Sequence, residues 1–147
     1  MRYWDASAVV PLCVGQDVTD TLRRWYEDDP QVTAWWNTSV ECASALQRLY
    51  RESVLDDAAL EWALKRLQVL RRLWYEVVPT EEVRRQALRA LHFHPLRAAD
   101  ALQLAGAMVW AGRQPEGLVF VTADVRLGAA ARREGFMVCN PLERPPC

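Results

Sequence analysis

Residues 118–136, LVFVTADVRLGAAARREGF, decide the fold. The opening LVFVT is a short β-favouring run, bounded by Gly117 on one side and by Ala123 and Asp124 on the other. Asp124 can cap a helix, and the alanine-rich segment after it predicts one that ends before Gly135, a residue suited to a left-handed cap. A second β-favouring run follows at 136–138. The same alternation extends back through the chain. Short runs at 2–5, 31–35 and 76–78 are separated by stretches with helical periodicity. The order predicts an α/β sandwich with a mainly parallel central sheet of about five strands.

The helices can be placed from their apolar spacing. Leu60, Ala63, Leu64, Leu67, Leu70 and Trp74 recur at three- and four-residue intervals over 56–74, with Asp56 and Asp57 at the positive end. Thr38 or Ser39 can cap a helix reaching about Tyr50, and Thr80 one over 80–91. Pro95 separates the latter from a helix at 97–110. No repeat or Gly/Ser linker interrupts the chain, so residues 1–140 are expected to form a single domain and the Pro-rich 141–147 a loose tail.

A chain of 147 residues can bury most of its apolar surface in one core. Its 51% apolar and 25% charged residues are an ordinary globular balance. No apolar stretch approaches membrane-spanning length, and Met1-Arg2-Tyr3-Trp4-Asp5 lacks the pattern of a secretory signal, which predicts a cytoplasmic protein with no membrane partner. Cys13, Cys42, Cys139 and Cys147 are widely spaced without a CxxC pair, so free thiols are expected. The net charge of -1 lacks the excess typical of a simple nucleic-acid binder. Four acids singled out below account for -4 of it, and the 15 others face 18 basic groups, a balance of +3. Near-neutrality therefore leaves a polyanionic substrate open.

Those acids are Asp5, Glu41, Asp100 and Asp124. Asp5 ends the first expected strand, Glu41 lies one turn into the helix after the second, and Asp124 begins the helix after the fourth. In a parallel sheet such junctions share one edge, where ligands bind at the carboxyl ends of the strands. Asp100 follows a helix, so topology alone does not bring it there. It stands as the single acid in the small and apolar segment LRAADALQLA, where a carboxylate is costly without compensation. Taken singly, Asp5 or Asp124 could simply cap a helix and Glu41 could be a solvated first-turn acid. Together they would repel one another unless divalent cations joined them, and hard oxygen ligands suit Mg²⁺ or Mn²⁺.

Four segments carry a family resemblance. YWDASAVVPL resembles the first motif of the PIN-domain nucleases, and in particular of the VapC-type toxins of toxin-antitoxin pairs, with Asp5 as the metal-binding acid and Ser7 two positions on. NTSVECASAL is similar to the second motif, LRAADALQLAGA to the third, and VTADVRLGAAARREGF to the fourth, where Thr122 precedes Asp124. The resemblance spans essentially the whole chain in the family's order. It implies a metal-dependent endoribonuclease that hydrolyses RNA phosphodiester bonds, the toxin of a toxin-antitoxin pair. Asp5, Asp100 and Asp124 would be metal ligands, Glu41 would complete the catalytic cluster, and Ser7 and Thr122 would be supporting donors. It also implies an RNA substrate, a cognate antitoxin and a homodimer.

Other residues read more plainly. Arg97 and Arg126 could contact RNA, although solvated surface arginines are the simpler expectation. His92 and His94 lack the spacing of paired ligands and read as helix-end residues. The apolar surplus of the helices at 38–50 and 56–74 predicts that Trp35, Trp36, Tyr50 and Trp62 are not all buried. The competing class is a non-catalytic α/β binding or regulatory module with an acidic Mg²⁺ pocket. A phospho-acceptor domain would need an Asp after the third strand, where Val77-Val78-Pro79 stands. An Asp-x-Asp phosphatase is disfavoured because Ser7 occupies the second acid's position.

Overall fold

The computed structural model describes residues 1–15 and 18–143. Five short strands form one all-parallel sheet: β1 (Arg2–Trp4), β2 (Val32–Trp35), β3 (Tyr75–Val77), β4 (Val119–Val121) and β5 (Met137–Cys139), in the order β3-β2-β1-β4-β5. The chain builds outward from β1 to β3, then returns to the other side of β1 for β4 and β5. This reversal makes the β1/β4 boundary a topological switch point, where loops leave in opposite directions and open a crevice. Among the described residues, no helix is long and apolar enough to cross a membrane.

Alternation along the strands divides the core. Tyr3, Trp35, Phe120 and Val138 face one layer, made with α5 (Glu81–Phe93), α6 (Ala98–Trp110) and α7 (Val125–Glu134). Trp4, Val32, Ala34 and Val121 face the other, made with α1 (Ala6–Cys13), α2 (Thr19–Asp28), α3 (Thr38–Arg51) and α4 (Asp57–Leu73). Successive strand residues point to opposite faces, so a sheet covered on both sides needs apolar residues at every position. Val32-Thr33-Ala34-Trp35 is accordingly buried throughout.

The caps expected at Thr80 and Gly135 are present, and Asp56, expected only as an acid at the positive end of its helix, is a cap as well. The side chain of Asp56 accepts from Ala59 N–H at 2.8 Å, that of Thr80 from Val83 N–H at 3.3 Å, and Gly135 takes φ of 107° after α7. Thr38 and Ser39 are not caps: Asn37 occupies that position, and the Thr38 hydroxyl is drawn into the interior by Gln103. Helix α2 lies where no element was specified, whereas α1 begins at the junction expected after Asp5. In α1, Val9, Val10 and Pro11 are poor helix formers, and burial against the sheet and neighbouring helices outweighs that propensity.

The cysteines differ in part from expectation. Cys13 and Cys42 are free and buried, whereas Cys139 is disulfide-bonded. Sequence spacing is blind to the short Cα separation that permits such a bond. Residues 141–143, at the start of the expected tail, make a turn in which Asn140 accepts from Leu142 N–H at 2.9 Å and Glu143 pairs with Arg132 of α7. The remainder, 144–147, lies outside the described residues.

Candidate active site

Four helix N-termini meet beside the β1/β4 switch point, and each contributes one carboxylate. Asp5 is the N-cap of α1, Glu41 lies in the first turn of α3, Asp100 in the first turn of α6, and Asp124 is the N-cap of α7. All four line one open cleft of about 360 Å³, together with Ser7, Val10, Pro11, Ala45 and Arg48. The α5–α6 hairpin is what brings Asp100 to the edge formed by the strand ends. Each N-terminus carries a partial positive charge that favours a nearby carboxylate. The capping alternative for Asp5 and Asp124 holds at the same time as their place in the cleft, because each also accepts a backbone N–H of its own helix.

Asp5 is the deepest of the four, at 4% exposed. Ser7 holds both of its oxygens: the hydroxyl donates to Oδ1 at 2.8 Å and the backbone N–H to Oδ2 at 3.2 Å. The Thr122 hydroxyl lies 3.2 Å from Ser7 Oγ and also hydrogen-bonds to the Asp5 carboxyl. Ala123 N–H also donates to Ser7 Oγ, at 2.8 Å, and Asp124 N–H donates to Thr122 Oγ1 at 3.0 Å. One relay of hydroxyls thus locks the end of β1 to the end of β4. Burial pushes the Asp5 carboxyl up to about 7 despite these donors.

Glu41 is half-buried and held from two sides, by Asn37 Nδ2 at 3.3 Å and Gln103 Nε2 at 3.1 Å. Burial raises its carboxyl, the two donors oppose the shift, and the negative charge of Asp100 adds to it. Gln103 is 1% exposed. It donates as well to Thr38 Oγ1 at 3.0 Å, and its backbone carbonyl accepts from the Tyr3 hydroxyl at 2.9 Å. The signal for it in the sequence is a lone amide on an otherwise apolar helix, one turn beyond Asp100. Asp100 itself is only half-buried. The deep carboxylate of the cleft is therefore Asp5, and Asp100 escapes the full desolvation that its apolar neighbours suggested.

Arg48 lines the cleft and was not singled out from the sequence; its signal is a position seven residues after Glu41, on the same face of α3. Arg97 and Arg126 are exposed and outside the lining. His94 closes α5, with Nε2 2.7 Å from Glu134 Oε1, away from the cleft residues. Trp35 is buried, whereas Trp36, Tyr50 and Trp62 are exposed.

The donor set is all oxygen and acidic, which suits a hard divalent cation, and a buried carboxylate raised to about 7 is a group whose charge such a cation would stabilise. The acids share the cleft without closing on a point. Among the described residues, no three His, Cys, Asp or Glu side chains form a ready ligand shell.

No family model and no curated protein matches the sequence. Solved structures do match, across nearly the whole chain. A toxin-antitoxin complex from Klebsiella pneumoniae superposes with a TM-score of 0.68 at 14% identity, over 98% of this chain and 100% of that one. FitAcB from Neisseria gonorrhoeae gives 0.67 at 18% identity, over 96% of this chain and 98% of that one. The fold is PIN-like. VapC20 of Mycobacterium tuberculosis, described as a toxin that cleaves the sarcin-ricin loop, gives 0.65 at 19% identity, over 88% of this chain and 95% of that one. The α/β architecture expected from the sequence is thus shared with PIN-domain proteins of toxin-antitoxin systems.

Proposed function

We propose that the protein is a metal-dependent endoribonuclease and the toxin of a toxin-antitoxin pair. The observation that carries this reading is the meeting of four helix N-termini, each delivering one carboxylate to a single cleft at the switch point. Asp5, Asp100 and Asp124 would hold Mg²⁺ or Mn²⁺, with Glu41 completing the acidic cluster. Bound there, the ion lowers the pKa of a water and stabilises charge developing on phosphate oxygens. The chain's own contribution is orientation. Ser7 and Thr122 hold Asp5 in one rotamer, while Asn37 and Gln103 hold Glu41. The open form of the cleft suits a polymer strand rather than an enclosed small molecule.

The neighbours' place in toxin-antitoxin complexes supports an antitoxin partner, and the exposed Trp36, Tyr50 and Trp62 supply apolar surface for it or for a homodimer. RNA incubated with the purified protein should be cleaved with added Mn²⁺ or Mg²⁺ and spared in EDTA. Full activity in chelator, with Asp5→Ala unimpaired, would overturn the reading.

A further inference from the structure

The acid cleft continues along α3 into a second groove of about 380 Å³, lined by Val40, Glu41, Ser44, Ala45, Arg48 and Arg51. Glu41, Ala45 and Arg48 line both, so the two are one surface feature that changes sign along its length. Glu41 and Arg48 lie two helical turns apart on one face, about 10 Å along the axis, and Arg51 is one turn further. Both arginines are exposed, and among the described residues neither guanidinium makes a hydrogen bond or an ion pair. Glu52, four residues after Arg48, does not pair with it. Arginines at a helix C-terminus are ordinary complements to its dipole. That role does not require them to face the continuation of an acidic cleft.

We propose that Arg48 and Arg51 are the phosphate-binding arm of the site, gripping the backbone of a single-stranded RNA on one side of the scissile bond. The assignment rests on the nuclease reading above. A floor of four carboxylates repels a polyanion, so strand affinity has to come from cations beside it, and this groove holds unpaired guanidinium groups continuous with the cleft. Guanidinium forks match phosphate oxygens bidentately, and such contacts are indifferent to base sequence. The strand therefore enters along α3, with Ser44 and Ala45 leaving room between the arginines and the acids.

The test is binding of a labelled random-sequence single-stranded RNA, with Ca²⁺ replacing Mg²⁺, followed by anisotropy across a range of salt concentrations. In Arg48→Ala/Arg51→Ala, affinity should fall roughly tenfold or more, and the slope of log affinity against log salt should flatten by about 1.4, two phosphate contacts' worth on a single strand. Arg48→Lys/Arg51→Lys should restore the slope. The pair Arg72→Ala/Arg133→Ala, which removes the same charge from the ends of α4 and α7, should change neither by a comparable amount. An unchanged slope in the α3 variant, or an equal loss in the control pair, overturns the groove while leaving the nuclease reading intact if the wild type still cleaves RNA. A wild type that neither binds nor cleaves RNA overturns both.

Discussion

Asp5 sits under two opposing demands. Its place beside the sheet removes it from water, which favours the neutral acid, while the hydrogen bonds from Ser7, Thr122 and the start of α1 favour the charged form. Burial raises its carboxyl to about 7 from an unfolded value near 3.8. A raised folded value means that the native state holds the proton more tightly than the unfolded chain. The stabilisation is complete below the unfolded value and is lost as pH rises through about 7. In EDTA, thermal stability should therefore decline between about pH 4 and pH 7 through this group. Asp5→Asn keeps the shape without the charge. It should flatten that decline and raise the melting temperature at pH 8 in chelator, while lowering RNA cleavage at least a hundredfold, roughly the loss seen when a metal-site group is altered. A variant that melts lower than wild type throughout would show that the Ser7 contacts outweigh the burial cost. Cys42, buried nearby, has its thiol pushed up by burial first and by neighbouring negative charge second, so it should resist alkylation in the folded protein.

At the scale of elements, close approach decides more than propensity. Gly106 lies inside α6, where glycine costs about 1 kcal/mol relative to alanine. A Cβ there would stand 2.7 Å from the Tyr3 hydroxyl and 3.4 Å from the Trp35 ring. Tyr3 is fully buried and bound to Gln103, so it has nowhere to retreat. Gly106→Ala should destabilise the protein by about 1–3 kcal/mol in denaturant titration, overpacking outweighing the helical gain. It should also loosen Glu41, which Gln103 holds. A more stable variant would mean that α6 can shift away from the sheet. On the same layer, Glu134 of α7 accepts from Arg89 and faces His94, tying α7 to α5. Burial would raise the Glu134 carboxyl, but the hydrogen bonds from His94 and Arg89 outweigh it and bring it below the usual value. This group has the opposite sign to Asp5: its stabilisation is present above the carboxylate range and is lost as pH falls. Glu134→Ala should cost roughly 1.5–3 kcal/mol near neutral pH. That difference from wild type should shrink in acid, which pH-dependent melting would read directly.

For the whole molecule, the outer face of α4 is the unsettled surface. Trp62, Val69 and Leu73 are spaced to share one stripe and are 57%, 57% and 64% exposed. Arg66 covers part of it, its guanidinium 5.4 Å from the centre of the Trp62 ring. A second copy of the chain or an antitoxin segment covering this stripe would bury several large side chains at once. Sedimentation at micromolar concentration should show a species heavier than 16.9 kDa, and Trp62→Glu should shift it toward the monomer without unfolding it. A strict monomer that also ignores the product of an adjacent small gene would leave the stripe without a partner.

The sequence by itself determined what is local and periodic. Strand runs such as 118–122, the spacing of Leu60 to Trp74, the acids at the start of that helix, the caps at Thr80 and Asp124, and the closing Gly135 are short-range physics, and the alternation of the elements implies a parallel sheet. Acids at strand ends then fall on one edge by topology, which is why Asp5, Glu41 and Asp124 could be placed together in advance. Tertiary structure decided the rest. The helical state of Val9-Val10-Pro11 depends on burial against neighbouring elements, and the entry of Asp100 into the cleft depends on the packing of the α5–α6 hairpin. The rank of Asp5 as the buried carboxylate, the grip of Gln103 on Glu41 and the run of Arg48 and Arg51 out of the cleft join residues that are far apart in the chain or whose solvent exposure no local pattern encodes. Desolvation and hydrogen bonding act through space, and only the folded chain sets those distances.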